Sequence, residues 1–204
     1  MKNHTKLIYF VTISWLSICI GIVSLLMSQH YITFSPSEYI SNLSQKIIFD
    51  SGAEKKSKWT LHHILGVGCG CSETVYKYLK SRGPQSELNE AGTVVGADKN
   101  WTNSLRAVGF KVQNISENEL NTDEMLGVPY LAIYNDQNTP IYQGGYGEHF
   151  IKKNEDVLDL QILKSLKGHG KTAHIFPIFG CAASLKYKKI LDPFNLKYEK
   201  AEKL

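Results

Sequence analysis

The sequence lacks the features of a nucleic-acid-binding protein. It contains no basic cluster with interleaved aromatic residues, and its formal charge of +4 arises from 23 basic and 19 acidic residues among 204. Lys2 and Lys6 precede an apolar segment, and removing these two leaves 21 basic residues against 19. Because this balance gives little attraction to a polyanion, no nucleic-acid partner is expected.

Internal repeats and low-complexity tracts are also missing, as is any charged residue between Leu7 and Met27. At about 1.5 Å per residue, these 21 residues are long enough to cross a hydrocarbon core of about 30 Å. A cleaved signal peptide has a shorter apolar run and ends in small residues, whereas this segment ends in Leu26-Met27-Ser28. We therefore favour an uncleaved transmembrane anchor at residues 7–27 over a signal peptide.

The flanking charges predict the orientation of this anchor. Lys2 and Lys6 lie just before it, and the next basic residue is Lys46. The positive-inside rule then places residues 1–6 in the cytoplasm and the rest on the periplasmic or other extracytoplasmic side. A signal peptide would export the same domain, so both interpretations of the segment give this location.

Beyond the anchor, the sequence predicts a connector at residues 28–58, a folded domain at 59–168 and a C-terminal extension at 169–204. Hydrophobic patterns predict strands at 59–65, 92–97, 110–115, 128–134 and 140–143. They predict helices after the Cys69 motif, at 98–108, from a capping box at Ser116, and from Asn154 to Leu166. This order is typical of an α/β fold with a mixed sheet flanked by helices.

Cysteine is scarce, with three residues outside the apolar segment, and the sequence has no Cys-x-x-Cys motif. It has instead Cys69-Gly70-Cys71-Ser72, directly between a predicted strand and a predicted helix. A thiol at a helix start gains from unpaired backbone N–H groups and from the helix dipole, and both favour the reactive thiolate. We therefore expect Cys69 or Cys71 to be activated.

The odd number of exported thiols leaves their pairing open. A Cys69–Cys71 disulfide would close a small and strained ring. Cys181 lies in the C-terminal extension, just before a helical run that ends at Leu191, and is a resolving thiol, a structural disulfide partner or a buried free thiol. His62 and His63 lie on the strand before the motif, and because strand neighbours face opposite sides, at most one is expected to approach it.

Two signals together resemble the thioredoxin-like superfamily over about residues 59–167. One is the cysteine motif between strand and helix, and the other is Gly127-Val128-Pro129, which leads into a strand and a turn. The resemblance implies a cis Val128–Pro129 bond facing the cysteines, and backbone groups at Val128 and Pro129 that hold an extended substrate chain. The family's Cys-x-x-Cys is replaced here, either by Cys-x-x-Ser starting at Cys69, which we favour, or by a motif with Gly68 at the first position.

The sequence thus predicts cofactor-free thiol–disulfide exchange through Cys69, Cys71 and Cys181. Its expected partners are exported thiol or disulfide proteins and a membrane electron donor or acceptor. One alternative is a Cu(I) protein with the three thiols and a histidine as ligands, although the resemblance to copper-delivery members would require a Cys-x-x-x-Cys spacing that is absent. Another alternative is a thioredoxin-like scaffold that only binds a partner.

Overall fold

The computed structural model describes residues 2–28, 33–34, 59–96, 98–120, 127–169 and 174–192, so most of the predicted connector lies outside the described residues. The chain forms two compact units, Met1–Ile32 and Thr33–Leu204. The first contains helix α1 (Lys2–Ser28), in which Lys6–Ser24 is apolar and long enough to cross a bilayer. Because an N-terminal signal sequence has the same properties, α1 is a candidate membrane span or signal sequence.

The second unit contains the remaining described elements. Its strands are β1 (Thr33–Phe34), β2 (Thr60–Gly66), β3 (Asn89–Val95), β4 (Lys111–Ile115), β5 (Gly127–Val128), β6 (Tyr130–Tyr134), β7 (Pro140–Gly144), β8 (Ile178–Phe179) and β9 (Cys181–Ala182). Its helices are α2 (Gly70–Arg82), α3 (Lys99–Ala107), a 3-10 turn at Asn154–Asp156, α4 (Asp159–His169) and α5 (Leu185–Leu191).

A five-stranded mixed sheet forms the centre of this unit, in the order β4-β3-β2-β6-β7. Strands β2, β3 and β4 are parallel, whereas β6 runs antiparallel to both β2 and β7. Two right-handed crossovers that step in one direction put α2 and α3 on the same face of the sheet. Val75 of α2, Leu105 of α3 and Ile162 of α4 accordingly belong to one core cluster. The predicted mixed sheet flanked by helices is confirmed.

Strand β2 lies in the middle of this sheet, and all seven of its residues are buried. Leu61 and Leu65 face the helical core, while Ile64 on the opposite face is also buried. The end of a central strand is a position where loops from several elements meet, and here β2 ends immediately before the cysteine motif.

The helix predicted from Asn154 to Leu166 is divided into the 3-10 turn and α4. The carboxylate of Asp156 accepts the N–H groups of Lys152 and Lys153, and the carboxylate of Asp159 accepts the N–H group of Leu160. Because these local bonds compete with the helical pattern, the first turn and the helix remain separate. The continuous helix was therefore a wrong prediction.

The capping box at Ser116 also differs from its prediction within the described residues. The Glu119 carboxylate accepts the Ser116 N–H group at 2.6 Å, and the Glu119 N–H group donates to the Ser116 carbonyl. Residues 117–119 nevertheless form a turn, and residues 121–126 lie outside the described residues. The bonds between Ser116 and Glu119 therefore stabilise a turn after β4, and no helix begins at this turn.

The strand predicted at 128–134 is interrupted at Pro129. Strand β5 pairs outside the central sheet with β9, whereas β6 joins the central sheet from Tyr130 onward. Proline has no N–H group to donate to a ladder, so the chain changes partners there. The same pairing places Cys181 in a strand, and the helix that follows it begins after its N-cap Ser184.

Candidate functional site

Cys69 occupies the N-cap position of α2, at the carboxyl end of the central strand β2. Its backbone is extended, with φ −101° and ψ 117°, and its N–H group donates to the Gly66 carbonyl. Gly68, with φ 78°, takes the left-handed conformation that this tight turn requires. The strand, the turn and the helix thus hold Cys69 where the first N–H groups of α2 have no acceptor within the helix.

The Val128–Pro129 peptide bond is cis, as the resemblance implies. The carbonyl of Val128 lies 3.4 Å from the Cys69 sulfur and accepts a hydrogen bond from its thiol. Cys69 and Val128 are 59 residues apart in the chain, so this contact joins the cysteine motif to the proline loop.

Cys181 reaches the same place from the C-terminal extension. In the antiparallel pair of β5 and β9, Cys181 lies opposite Val128 and Ala182 lies opposite Gly127. The preceding residue, Gly180, is so close that an added Cβ would lie 1.8 Å from the Val128 carbonyl oxygen. Only a glycine fits at this position, and its small size allows β9 to lie against the proline loop.

The surroundings of Cys69 favour its thiolate. The Cys181 side chain contributes most to lowering its pKa, followed by the side chain of Cys71, while burial opposes both. The backbone N–H and the hydroxyl of Ser72 lower it further, so that the pKa of the Cys69 thiol lies well below its usual value. In the thiol form Cys69 donates to Val128, and in the thiolate form it accepts from these four donors.

Ser72 is a site residue that the sequence prediction did not include. It is fully buried, and its hydroxyl oxygen accepts the Gly66 N–H group at 3.1 Å. Because that bond occupies the oxygen as an acceptor, the hydroxyl hydrogen remains to be donated to Cys69. The favoured Cys-x-x-Ser alignment marked this position, but the sequence alone did not indicate its bonding.

The predicted cysteine residues come together, but they differ in exposure. Cys69 is 3% exposed and Cys181 is 7% exposed, whereas Cys71 on the first turn of α2 is half-buried. None of the three forms a disulfide in this structure. The site therefore has two enclosed thiols and one that solvent reaches.

A small cavity adjoins Cys69. Its volume is about 10 Å³, which is enough for roughly one water molecule. It is lined by Gly66, Val67, Gly68, Cys69, Val95, Val128, Cys181, Ala182, Ala183 and Lys188. Four of these residues belong to the C-terminal extension, which therefore encloses the thiol.

Both strand histidines have hydrogen-bond partners in the interior other than the cysteines. His62 is hydrogen-bonded to Thr93, and burial together with the charge of His63 lowers its pKa to about 3, so it is neutral at physiological pH. His63 on the opposite face is hydrogen-bonded to Tyr146 and lies 3.5 Å from the Glu90 carboxylate. Both histidines are fully buried strand residues.

A buried charged cluster lies beside His63. Arg82 donates to both carboxylate oxygens of Glu90 and also to Asp159, at 2.7–3.1 Å. Tyr78 donates to Asp159 as well. These groups connect α2 to β3 and α4, and sequence patterns gave no indication of them because each pair is brought together by tertiary packing.

As they stand, the described residues contain no group of three or more His, Cys, Asp or Glu side chains that could hold a metal ion. The small cavity also offers no room for an organic cofactor.

Comparisons with known proteins identify no family. No family model matches the chain, and no curated protein matches it. An uncharacterized conserved protein from Geobacillus kaustophilus has 12% identity and a TM-score of 0.44, covering 63% of this chain and 78% of that one. A hypothetical protein from Sinorhizobium meliloti 1021 has 13% identity and a TM-score of 0.47, covering 75% and 90%.

The strand order, the flanking helices and the cis-proline beside a cysteine at a helix start are consistent with a thioredoxin-like fold. Both of these solved structures are of uncharacterized or hypothetical proteins, so they assign no activity.

Proposed function

We propose that this chain is a membrane-anchored thiol–disulfide exchange protein that acts on exported proteins. One observation carries the proposal: Cys69 lies at the start of α2 with the side chains of Cys71, Cys181 and Ser72 around it. A thiolate with two further thiols in reach has both the nucleophile and the resolving groups that exchange requires.

The lowered pKa of Cys69 supports a reactive site over a structural one. A buried thiol in apolar surroundings has a raised pKa and is inert. At Cys69 burial alone would raise the pKa, but four hydrogen-bond donors outweigh it. The lowered pKa increases the thiolate fraction of Cys69, and the thiolate is the form that attacks or leaves in exchange.

The exchange itself needs no cofactor. A thiolate attacks one sulfur of a partner disulfide, the other partner sulfur leaves and takes a proton, and a second thiol of the site displaces the mixed disulfide. The partner is reduced to two thiols while two thiols of this chain become one disulfide. The reverse sequence oxidises a partner.

Helix α1 and the positive charges of Lys2 and Lys6 before it support a location of the folded domain outside the cytoplasm. Disulfides persist in such compartments, so exported thiol proteins are the partners and a membrane electron donor or acceptor resets the site. A membrane-impermeant maleimide added to intact cells is expected to label Cys71. Labelling only after lysis would contradict this orientation.

The function is tested by equilibrating the full chain in detergent micelles with glutathione buffers of stepped potential and counting thiols at each step. We expect one reversible disulfide per chain, with a midpoint between roughly −120 and −210 mV, the range of exported exchange proteins and their compartments. Cys69→Ser is expected to abolish it, while Cys19→Ser in the apolar segment serves as the matched control and leaves it unchanged.

Two outcomes would contradict exchange. Three thiols that never pair would favour the scaffold alternative, and a bond that no physiological potential reduces would mark a structural disulfide. Stoichiometric Cu(I) that is lost on Cys69→Ser would instead favour the metal alternative.

A further inference from the structure

Cys69 and Cys181, the two thiols next to Val128, are buried, whereas Cys71 is partly exposed to solvent. Cys69 donates to the Val128 carbonyl, Cys181 lies opposite Val128 in the strand pair, and they are 3% and 7% exposed. Cys71 lies two residues further along α2 and is half-buried. Of the three thiols, Cys71 is therefore the one most accessible to a disulfide on the surface of a folded protein.

The segment that encloses Cys69 is built into the fold. Ile178, Ala182 and Ala183 are at most 1% exposed, and Gly180 leaves no space between β9 and Val128. Lys188 of α5 forms an ion pair with Glu117, and both side chains are less than one-fifth exposed. Strand β8 is held in addition by β1. Direct access of a protein disulfide to Cys69 therefore requires contacts of this segment to open, whereas a small disulfide requires a smaller opening.

We propose that Cys71 is the entry thiol for protein disulfides and that it passes the oxidation to an internal Cys69–Cys181 pair. This inference rests on the proposed function and assigns the three thiols separate roles within it. The substrate class follows from the access: disulfides exposed on folded proteins, which do not fit the cavity beside Cys69.

Each step balances in atoms and electrons. Cys71, whose thiol donates to the Cys69 thiolate in the resting site, passes its proton to Cys69 and attacks a partner disulfide. A mixed disulfide forms, and the partner's first sulfur leaves as a thiolate that takes this proton from Cys69. The Cys69 thiolate then attacks the Cys71 sulfur and expels the second partner thiolate, which also takes up a proton. Cys181 loses its proton and attacks the Cys69 sulfur, so the Cys69–Cys181 bond forms and Cys71 is released as a thiolate.

The short Cys69–Cys71 ring occurs only between the second and third steps. Such a ring is strained and therefore easily opened, and the Cys181 side chain lies within hydrogen-bonding reach of Cys69 to open it. The net result is that Cys69 and Cys181 are oxidised, the partner disulfide is reduced, and Cys71 is regenerated.

The test uses the full chain in detergent micelles, in a Cys19→Ser background, with two oxidants of different size. Reduced protein is mixed with insulin, whose disulfides are borne by a folded protein, or with hydroxyethyl disulfide, which is small. The variants are Cys71→Ser, Cys71→Ala and Cys69→Ser, and thermal unfolding followed by circular dichroism verifies that each is folded.

We expect both Cys71 variants to react with insulin at least about tenfold more slowly than the parent, because a local opening is then required. Their reaction with hydroxyethyl disulfide should be changed far less and should still end in a Cys69–Cys181 bond. Cys69→Ser should accumulate a mixed disulfide between Cys71 and insulin, identified by mass spectrometry.

The contrary results separate this inference from the proposed function. If the Cys71 variants react with insulin at the parental rate, or the mixed disulfide maps to Cys69, then Cys71 is not the entry thiol. The proposed exchange function is not affected by that result. If the parent reacts with neither oxidant, the exchange function itself is wrong, and the inference fails with it.

Discussion

Cys181 lies opposite Val128 in an antiparallel pair of two-residue strands, and the carbonyl of the same Val128 accepts a hydrogen bond from the Cys69 thiol. One backbone position beside the cis-proline therefore aligns two cysteines that are far apart in the sequence. This alignment, more than the Cys69-Gly70-Cys71 spacing, determines which thiols are expected to pair.

The contact between Gly180 and Val128 gives the first prediction. In Gly180→Ala the new Cβ would lie 1.8 Å from a carbonyl oxygen and 2.8 Å from its carbon, and backbone atoms do not move aside cheaply. We expect β9 to shift from β5, with a loss of about 1–3 kcal/mol in the free energy of unfolding. Formation of the Cys69–Cys181 bond by oxidised glutathione should slow in parallel.

Gly70→Ala is the matched control for this change. Gly70 is the first residue of α2. Apart from its chain neighbours and the backbone of its own helix, no atom lies within 4 Å of a Cβ built at this position. Its denaturation midpoint and its rate of oxidation should stay close to those of the parent. Equal effects of the two substitutions would mean that the close approach of Gly180 is unimportant.

Ser72 gives a prediction about the charge of Cys69. Ser72→Ala removes a donor to the thiolate, so the pKa of Cys69 should rise toward the ordinary thiol value of about 8.5. The substitution also leaves the buried Gly66 N–H group without its acceptor, at a cost of about 1–3 kcal/mol in stability.

The ultraviolet absorbance of the thiolate, taken as the difference between parent and Cys69→Ser, measures this pKa. Because the pKa in the folded protein is lowered, the thiolate of the parent should persist to lower pH than that of an ordinary thiol with a pKa of about 8.5. Ser81→Ala on the exposed side of α2 should leave the curve unchanged. A parental curve centred on the ordinary thiol value would contradict the hydrogen-bonded thiolate.

The sequence predicted the local part of this site and missed the distant part. The start of α2 at the cysteine motif could be predicted because it depends on a few adjacent residues. The cis bond before Pro129 was implied by the resemblance to the thioredoxin-like superfamily. The pairing of Val128 with Cys181 depends on two-residue strands, which are too short for a hydrophobic period. Only the packing of the whole domain brings these strands together.

Ser72 and the charged cluster were missed for a related reason. A serine on a first helical turn normally suggests only a local bond, whereas Ser72 bonds to Gly66 of the preceding strand. Arg82 fits the helical spacing of α2, but this spacing does not show that its side chain lies between Glu90 and Asp159. A sequence pattern identifies the element, but not the partners that tertiary packing provides.

The cluster of Arg82 and Glu90 gives a stability prediction. Burial raises the pKa of Glu90, but hydrogen bonds from His63 and Arg82 outweigh it and lower that pKa to about 2. A carboxylate with a lowered pKa adds stability above its ordinary value and loses it as the pH falls through the folded value. Stability contributed by Glu90, on the order of 3 kcal/mol, should therefore disappear between about pH 4.5 and pH 2.

Glu90→Gln should lower the free energy of unfolding at pH 7 by about 3–5 kcal/mol, because it leaves part of the Arg82 charge uncompensated in the interior. The free energy of unfolding of this variant should also fall less steeply than that of the parent as the pH decreases from about 4.5 to 2. Glu73→Gln is the matched control, since Glu73 and Lys77 form an exposed pair with side chains 52% and 65% exposed. Urea denaturation at several pH values measures both, and a similar small effect for the two variants would contradict a stabilising buried cluster.

The most direct test of the central claim is disulfide mapping of the full chain after brief oxidation with glutathione and trapping of the remaining thiols. We predict a Cys69–Cys181 bond with Cys71 alkylated, and its loss in Cys181→Ser. A dominant Cys69–Cys71 bond, or three alkylated thiols at every potential, would contradict the pairing that Val128 aligns.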